Sequence, residues 1–355
     1  MAVISGFIIL GVGEILAPIL LGMMNVPDDV LKLATLYLRI FFFAMPFIEI
    51  YDFGSAVLRS KGDSTRPLYA LITAGVINVI LNLVFVIVFK MGVAGVATAT
   101  VISNFFSACM ILYFLTHEEE MLRLDFRKLR IRWEYLLGII KIGLPAGLQS
   151  MVFSLSNVVI QAAINSFGSD GIAGSTAEQN FEFMAYFVIN AFAQTATTFT
   201  SQNFAAQDKE RCKKIYRLCT FIGLASCLGL SLIFLIGRHL FIQIFSTDEN
   251  VIHYAMIRMW SVCLLELLTG VYEISGGCLR GMGHSMTPAV ITVLGTCVFR
   301  LVWVNTIYVA HRSYIMLMIV YPVSWVITGT AVTVAYFIIR RKEFAQIGKR
   351  RADII

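Results

Sequence analysis

The stretch LRGMGHSMTP, from Leu279 to Pro288, has a counterpart earlier in the chain, LRSKGDSTRP, from Leu58 to Pro67. Leucine, arginine, glycine, serine and proline stand at the same five places in both, at a constant offset of 221 residues. The match extends outward, because Tyr51-Asp52 precedes the first stretch and Tyr272-Glu273 precedes the second at the same offset. Two decapeptides in matching surroundings indicate an internal repeat.

Composition indicates a membrane protein. Of the residues, 58% are hydrophobic and 14% charged, and mean hydropathy is +0.79, whereas about a quarter of a soluble protein is charged. The apolar residues form blocks of about twenty, the length that a helix needs to cross a bilayer core of about 30 Å. The predicted fold class is therefore all-α integral membrane. We predict ten helices, at residues 2–24, 33–56, 68–89, 93–115, 136–166, 171–203, 214–237, 252–276, 286–310 and 314–339.

The net charge of +6 indicates membrane topology rather than a nucleic-acid partner. Basic loops alternate with acidic or small ones, and short basic loops stay cytoplasmic. The basic segments are Arg59–Arg66, Arg123–Arg132, Lys209–Arg217 and Arg340–Arg351. The other loops are Pro27–Asp29, Gly168–Gly171 and Thr247–Glu249. We expect the chain to span the plasma membrane and, with ten helices, to have both termini in the cytoplasm. Its basic loops are expected to lie near anionic lipid headgroups.

Four consecutive helices repeat, so that residues 2–115 match residues 214–339. Within them, Tyr37-Leu38-Arg39 resembles Met256-Ile257-Arg258 after a slip of two residues. The helices at 136–203 have no counterpart before the first repeat. Either the chain lacks the first two helices of a six-plus-six arrangement, or this pair is an insertion; the similarity of the repeats favours the first. The predicted domains are an N-terminal bundle of four helices at 1–116, a cytoplasmic linker at 117–135, a C-terminal bundle of six helices at 136–339 and a basic cytoplasmic tail at 340–355.

The repeated loops resemble those of the multidrug and toxic compound extrusion (MATE) transporters. The segments Ile142–Gln149, Gly92–Ala97 and Asn78–Asn82 also resemble that family. The resemblance implies two pseudo-symmetric helix bundles, six plus six in the family and about four plus six here, around a cavity that opens alternately to each side. It implies a monomeric secondary transporter, without a cofactor, that exports organic cations, xenobiotics or similar amphiphiles against Na⁺ or H⁺. In part of the family, the first helix, which has no counterpart here, supplies an acidic residue for ion coupling.

Carboxylates inside the predicted helices are candidates for ion coupling, because a charge at bilayer depth costs several kcal/mol and usually faces a cavity or a partner. Glu266 and Glu273 are seven residues apart, and Glu49 and Asp52 are three apart, so each pair shares one helix face. A solvated position near the cytoplasmic helix end is the alternative for Asp52 and Glu273. The two pairs therefore predict an acidic site in each bundle.

The helix at 171–203 carries a polar residue at every fourth place, beginning with Glu178 and Glu182. The amide candidates for the cavity wall are Asn190 and Gln194 on this helix and Gln149 and Asn157 on the helix at 136–166. Facing amide rows stabilise a membrane bundle by about 0.6 kcal/mol per hydrogen bond, but they do not account for the glutamates. Arg300 stands mid-helix and requires a carboxylate or a water-filled cavity. Two roles are open for Arg300: contact with substrate, or an ion pair that neutralises one glutamate while the others titrate.

These carboxylates indicate that the transporter is coupled to a cation, but they do not distinguish H⁺ from Na⁺. Burial favours the protonated form of a carboxyl, which can then carry a proton between two states. Carboxylate and amide oxygens can instead hold Na⁺, a hard ion that oxygen ligands satisfy. The five histidines lie at helix ends or loops without metal-ligand spacing, which argues against a membrane enzyme. A flippase for a lipid-linked or polysaccharide substrate remains the alternative. Its cavity should carry several cations, whereas the intramembrane charges here are mostly negative and favour cationic cargo.

Overall fold

A computed structural model describes residues 1–23, 28–118 and 123–352, and over these residues the chain is helical and contains no strand. The all-α fold class is therefore confirmed. Four predicted features lie partly outside the described residues: the end of the first helix at residue 24, the loop residue Pro27, positions 119–122 of the linker and the last three residues of the tail.

The chain divides into two compact units, the first ending at Arg132 and the second beginning at Trp133. The helices of the first unit are α1 (Ala2–Met23), α2 (Asp28–Phe42), α3 (Met45–Ser60), α4 (Thr65–Leu83, continued by a π-helical turn at Val84–Val88) and α5 (Gly92–Thr116). The sequence predicts one helix over 33–56, but α2 and α3 meet at a bend of 44°. Pro46 at the start of α3 explains the break, because proline lacks the N–H that a continuous helix needs and clashes with the preceding turn.

The second unit is built around the long helix α7, which packs against α8, α10 and α11, while α11 also packs against the last helix, α15. Its helices are α6 (Trp133–Asn165), α7 (Gly168–Ala205), α8 (Lys209–Ile236), α9 (Arg238–Gln243), α10 (Glu249–Ser261), α11 (Leu267–Gly281), α12 (Met286–Thr292), α13 (Phe299–Trp303), α14 (Tyr314–Met318) and α15 (Val320–Ala352). The predicted tail is thus largely a continuation of α15.

Eight helical segments of the described chain are long and apolar enough to cross a membrane, or nine if the bent pair α2–α3 is one span. The sequence predicts ten spans, and the span that the structure does not support by hydropathy is α7. This 38-residue helix has the length of a span but is too polar to qualify. Its polar side chains do not all face lipid: Glu178 is 0% and Glu182 8% exposed.

The two decapeptides adopt the same turn. Asp63 N–H donates to Leu58 O over 3.1 Å, and Gly62 N–H to Arg59 O over 2.9 Å. At the same offset, His284 N–H donates to Leu279 O and Gly283 N–H to Arg280 O, both over 2.9 Å. This pair of bonds is the Schellman motif that closes a helix. It requires a left-handed residue, and Gly62 has φ +94° and Gly283 φ +88°. The repeated glycine is therefore a helix stop.

We expect Gly283→Ala to destabilise the protein by about 1–2 kcal/mol, because a Cβ in the left-handed region meets its own carbonyl. Nothing else lies within 4 Å of that Cβ, so backbone strain is the whole effect. Gly283→Asn is the matched control, since asparagine tolerates this conformation. Thermal unfolding in detergent measures both, and equal melting temperatures for the two variants would contradict this account.

Candidate functional site: a charged cavity in the second unit

A cavity of about 380 Å³ lies within the second unit, between α6, α7, α10, α11, α12, α13 and α15. This volume is in the range of about 300–1,000 Å³ that small-molecule sites occupy. The charged residues on its wall are Glu182, Glu266, Glu273, Arg258 and Arg300. Four of these five were predicted as site residues. The fifth, Arg258, was missed.

Arg258 on α10 is the centre of a buried ion cluster. Its Nε lies 2.6 Å from Glu178 Oε2, and its Nη2 lies 2.6 Å from Glu182 Oε2. Its Nη1 donates to Ser175 Oγ over 2.8 Å, and Tyr314 Oη donates to the same hydroxyl over 3.0 Å. Arg258 is 1% exposed. One guanidinium thus contacts two carboxylates four residues apart on one face of α7, and the cluster as a whole keeps one negative charge when all three groups are ionised.

Glu266 is the buried carboxylate of the cavity that has no cationic partner within 4 Å in the described chain. It is 2% exposed. Its Oε1 accepts a hydrogen bond from Thr269 Oγ1 over 3.1 Å, and its Oε2 has no hydrogen-bond partner among the described residues. The predicted continuous helix 252–276 is wrong here, because the chain passes through a 3₁₀ turn at Cys263–Leu265 before α11 begins at Leu267. Glu266 stands at the start of α11, where the helix dipole favours a negative charge.

Arg300 is fully buried on α13, which lies between two π-helical segments at Val293–Val298 and Val304–Tyr308. Arg300 has no carboxylate within 4 Å in the described chain, and contact with substrate, the other expectation for this residue, stays a prediction. Its Nε donates to Ser324 Oγ and its Nη1 to Asn157 Oδ1, each over 3.1 Å. The glutamates of α7 have Arg258 instead, so Arg300 meets the cavity rather than a carboxylate.

Glu273 lies seven residues, about two helical turns, beyond Glu266, and its Oε2 is 3.4 Å from Arg280 Nη2. Both side chains are partly exposed, at 14% and 19%. Although the predicted helix is broken before Glu266, Glu266 and Glu273 both line the cavity. Glu273 is therefore a cavity carboxylate that already has a cation, in contrast to Glu266.

The predicted amides divide between the wall and the surface. Gln149 and Asn157 line the cavity, and Asn157 binds Arg300. Asn190 and Gln194 are exposed on α7 and are not among the residues that line the cavity. The amide rows of α6 and α7 do not bond to each other in the described chain, where Asn190 instead donates to Tyr186 Oη over 3.5 Å.

The other predicted carboxylates belong to the first unit. Glu49 on α3 is partly buried and accepts a hydrogen bond from Ser5 Oγ over 3.1 Å. Asp52, one turn further on, is exposed. Glu49 and Asp52 lie on one face of α3, as predicted. They belong to the first unit, whereas the cavity carboxylates belong to the second.

In the sequence, Arg258 served only to identify the repeat. The signal that could have revealed its role is an arginine at the seventh residue of the apolar helix predicted at 252–276. Tyr321 and Trp325 of the cavity wall were missed as well, because an aromatic residue in an apolar helix carries no distinguishing pattern. Among the described residues, no three His, Cys, Asp or Glu side chains come together as a metal-binding group.

The arrangement can therefore hold a small charged molecule. Two of its carboxylates have guanidinium partners, one buried carboxylate has none, and one buried guanidinium is without a carboxylate. Charges in a site shielded from bulk water interact far more strongly than in solution. The uncompensated Glu266 and Arg300 thus dominate what the cavity attracts.

Comparison with known proteins identifies the family. The MatE family model matches residues 1–84 and 145–305. The chain is 27% identical over 299 residues to the probable multidrug resistance protein YoeA of Bacillus subtilis. The aligned region covers 81% of this chain and 64% of that protein. It is 23% identical over 267 residues to the multidrug export protein MepA of Staphylococcus aureus, with coverage of 75% and 59%. The chain thus spans less than two thirds of the length of these relatives.

Solved structures share the fold. The Vibrio cholerae MATE transporter VcmN in its bent form superposes with a TM-score of 0.82 at 20% identity, over 96% of this chain and 77% of that one. A MOP superfamily transporter from Pyrococcus furiosus superposes with a TM-score of 0.87 at 19% identity, over 98% and 77%. The family match over more than half of the chain and the shared fold agree with the resemblance of the repeated loops: this multi-span membrane protein belongs to the MatE family.

Proposed function

We propose that this protein is a secondary active transporter that exports small organic cations or similar amphiphiles in exchange for Na⁺ or H⁺ by alternating access. The observation that carries the proposal is Glu266, a buried carboxylate on the cavity wall that has no cationic side chain of the described chain within 4 Å. An isolated ionised carboxylate away from water is costly. A proton, a sodium ion or the positive group of a cargo would each remove that cost.

Competition for one carboxylate supplies a mechanism for exchange. If the coupling ion and the cargo cation both need Glu266, binding of one displaces the other, and each can cross only in turn. Arg258 makes Glu178 and Glu182 poor competitors for this role, because both already have a guanidinium within 2.6 Å. The oxygens of Glu266 and Thr269 suit Na⁺, and a carboxyl alone suits H⁺, so the same residue serves either ion.

The relatives support a drug-like cargo, since YoeA and MepA are a probable multidrug resistance protein and a multidrug export protein. A cavity of about 380 Å³ accepts a molecule of that size. The alternating basic loops support a location in the plasma membrane with both termini in the cytoplasm. The proposed partners are the lipid bilayer and the small-molecule cargo, with the transporter acting as a monomer and without a cofactor.

The test is efflux of a fluorescent monocation from proteoliposomes with a sodium gradient and a pH gradient imposed separately. We expect one gradient to drive transport against the dye concentration and the other to have no effect. An ionophore that collapses the effective gradient should stop transport and serves as the control. Dye movement at the same rate with no gradient, or none under either, would contradict the proposal.

A further inference from the structure

The connection between α5 and α6 is longer than a turn between two helices requires. α5 ends at Thr116 and α6 begins at Trp133, whereas most connections in compact folds have about 4–6 residues. Its part from Arg123 to Arg132, here called the linker segment, contains one 3₁₀ turn at Phe126–Lys128 and is otherwise irregular. Both flanking helices are long and apolar enough to cross a membrane. The linker segment is therefore held at a surface of the bilayer.

The linker segment exposes large apolar side chains. Phe126 is 60%, Leu129 62% and Ile131 53% exposed. Leu124, at the start of the segment, is packed instead. Its N–H donates to Leu115 O over 2.9 Å, and its side chain lies against the core of the first unit. The segment is thus anchored at the end of α5, and the apolar residues that follow the anchor are left for another partner to cover.

The linker segment is also strongly basic. Against a single acidic residue, Asp125, it carries five basic ones: Arg123, Arg127, Lys128, Arg130 and Arg132. Asp125 Oδ2 lies 3.5 Å from Lys128 Nζ. In the described chain, Arg127, Arg130 and Arg132 have no carboxylate within 4 Å. Cations without counter-charges, next to exposed apolar side chains, match a surface that is anionic on the outside and apolar beneath.

Apolar and basic residues alternate in the second half of the segment, which reads Leu129-Arg130-Ile131-Arg132 and continues into Trp133. Leu129 has an extended backbone, with φ −63° and ψ 115°, and successive side chains of an extended chain point to opposite sides. The alternation therefore favours one apolar and one basic side. At the start of α6, Trp133 is 72% and Tyr135 65% exposed. Both residue types are enriched where membrane meets water.

We propose that the linker segment is a docking surface for anionic phospholipid. It lies flat in the bilayer interface, with Phe126, Leu129 and Ile131 among the upper acyl chains and the arginines on the lipid phosphates. Such segments bind through buried apolar area together with the attraction of cations to anionic lipid. Each Lys or Arg near an anionic surface strengthens binding about fivefold. The inference depends neither on the cargo nor on the coupling ion.

The test measures the depth of a fluorophore at position 131. Ile131→Cys carries an environment-sensitive label in a protein with Cys109→Ala, since Cys109 is exposed and the other cysteines are buried. The protein is reconstituted in phosphatidylcholine vesicles with and without phosphatidylglycerol, each containing a lipid with a nitroxide on its acyl chain. With phosphatidylglycerol we expect blue-shifted emission and strong quenching by the nitroxide. High salt should weaken both, because it screens the attraction between exposed charges.

Removing the arginines that have no carboxylate partner should abolish the response to phosphatidylglycerol. Arg127→Gln, Arg130→Gln and Arg132→Gln are combined in one variant, and each replacement alone should weaken the response about fivefold. All three side chains are exposed, so the variants should fold like the unaltered protein.

The matched control removes the same number of charges from another basic segment, by Arg211→Gln, Lys213→Gln and Lys214→Gln near the start of α8. It should leave the label as deep as before. Equal quenching with and without phosphatidylglycerol would show insertion by apolar contact alone and would overturn the proposal. Emission typical of water in both kinds of vesicle would overturn it as well, and would assign the exposed side chains to a protein partner.

The comparison of the two lipids needs no charge variant. It decides the proposal on the labelled protein with its arginines intact.

Discussion

Replacing Glu266 by glutamine is expected to reduce gradient-driven efflux to the rate of empty vesicles while the protein still inserts and folds. Glutamine keeps the shape of the side chain and can still accept the bond from Thr269 Oγ1, which spans 3.1 Å in the native protein. It removes the charge for which coupling ion and cargo would compete. Because the native carboxylate is buried without a cationic partner, its loss should not destabilise the fold.

The measurement is dye efflux from proteoliposomes under the effective gradient, with the melting temperature recorded for each variant. Glu210→Gln is the matched control, since Glu210 is an exposed carboxylate on α8 that pairs with Lys213. The control should transport at the normal rate. Normal efflux by the Glu266→Gln protein would show that this carboxylate is structural, and the coupling site would then have to be sought in the first unit, at Glu49 and Asp52.

Replacing Arg258 by methionine should destabilise the protein by about 3–5 kcal/mol, because it leaves buried glutamates without their counter-charge. Glu178 is 0% and Glu182 8% exposed, so water cannot take over the role of the guanidinium. Arg39→Met is the matched control at the corresponding place of the first repeat. Arg39 is 52% exposed and lies 3.6 Å from Glu14, and exposed pairs contribute at most about 1 kcal/mol.

Thermal unfolding in detergent and the yield of folded protein in the membrane report this effect. Adding Glu178→Gln and Glu182→Gln to Arg258→Met should recover most of the lost stability, because no charge is then left uncompensated. If Arg258→Met alone melts at the native temperature, the cluster does not stabilise the fold. If the triple variant is no more stable than the single one, the loss comes from packing rather than from charge.

The sequence determined the elements of this protein. Helices follow from local hydrophobicity and chain length, so their positions were predicted to within a few residues in most cases. The repeated decapeptides marked two Schellman turns, because glycine adopts the left-handed conformation of Gly62 and Gly283 without strain. The sequence also identified most of the charged cavity wall, since a carboxylate in an apolar helix requires an unusual environment.

Departures from the predicted helices have local causes that hydropathy does not register. The bend between α2 and α3 at Pro46 and the 3₁₀ turn before Glu266 leave the apolar character of each segment unchanged. In α7 the helix is continuous, but its hydropathy is low. Its polar residues lower its hydropathy below that of a membrane span, although the helix is longer than a bilayer requires.

Only the tertiary structure decided which charges meet. A helix fixes the faces of its own side chains through a rotation of about 100° per residue, but the neighbour that each face meets depends on how the helices pack. Arg258 and Glu182 are 76 residues apart in sequence, and nothing in the sequence of either helix indicates that the two side chains would be in contact. The packing of the helices places Glu178 and Glu182 of α7 against Arg258. It leaves Glu266 and Arg300 without an oppositely charged side chain within 4 Å in the described chain, and this distribution of charge determines what the cavity can bind.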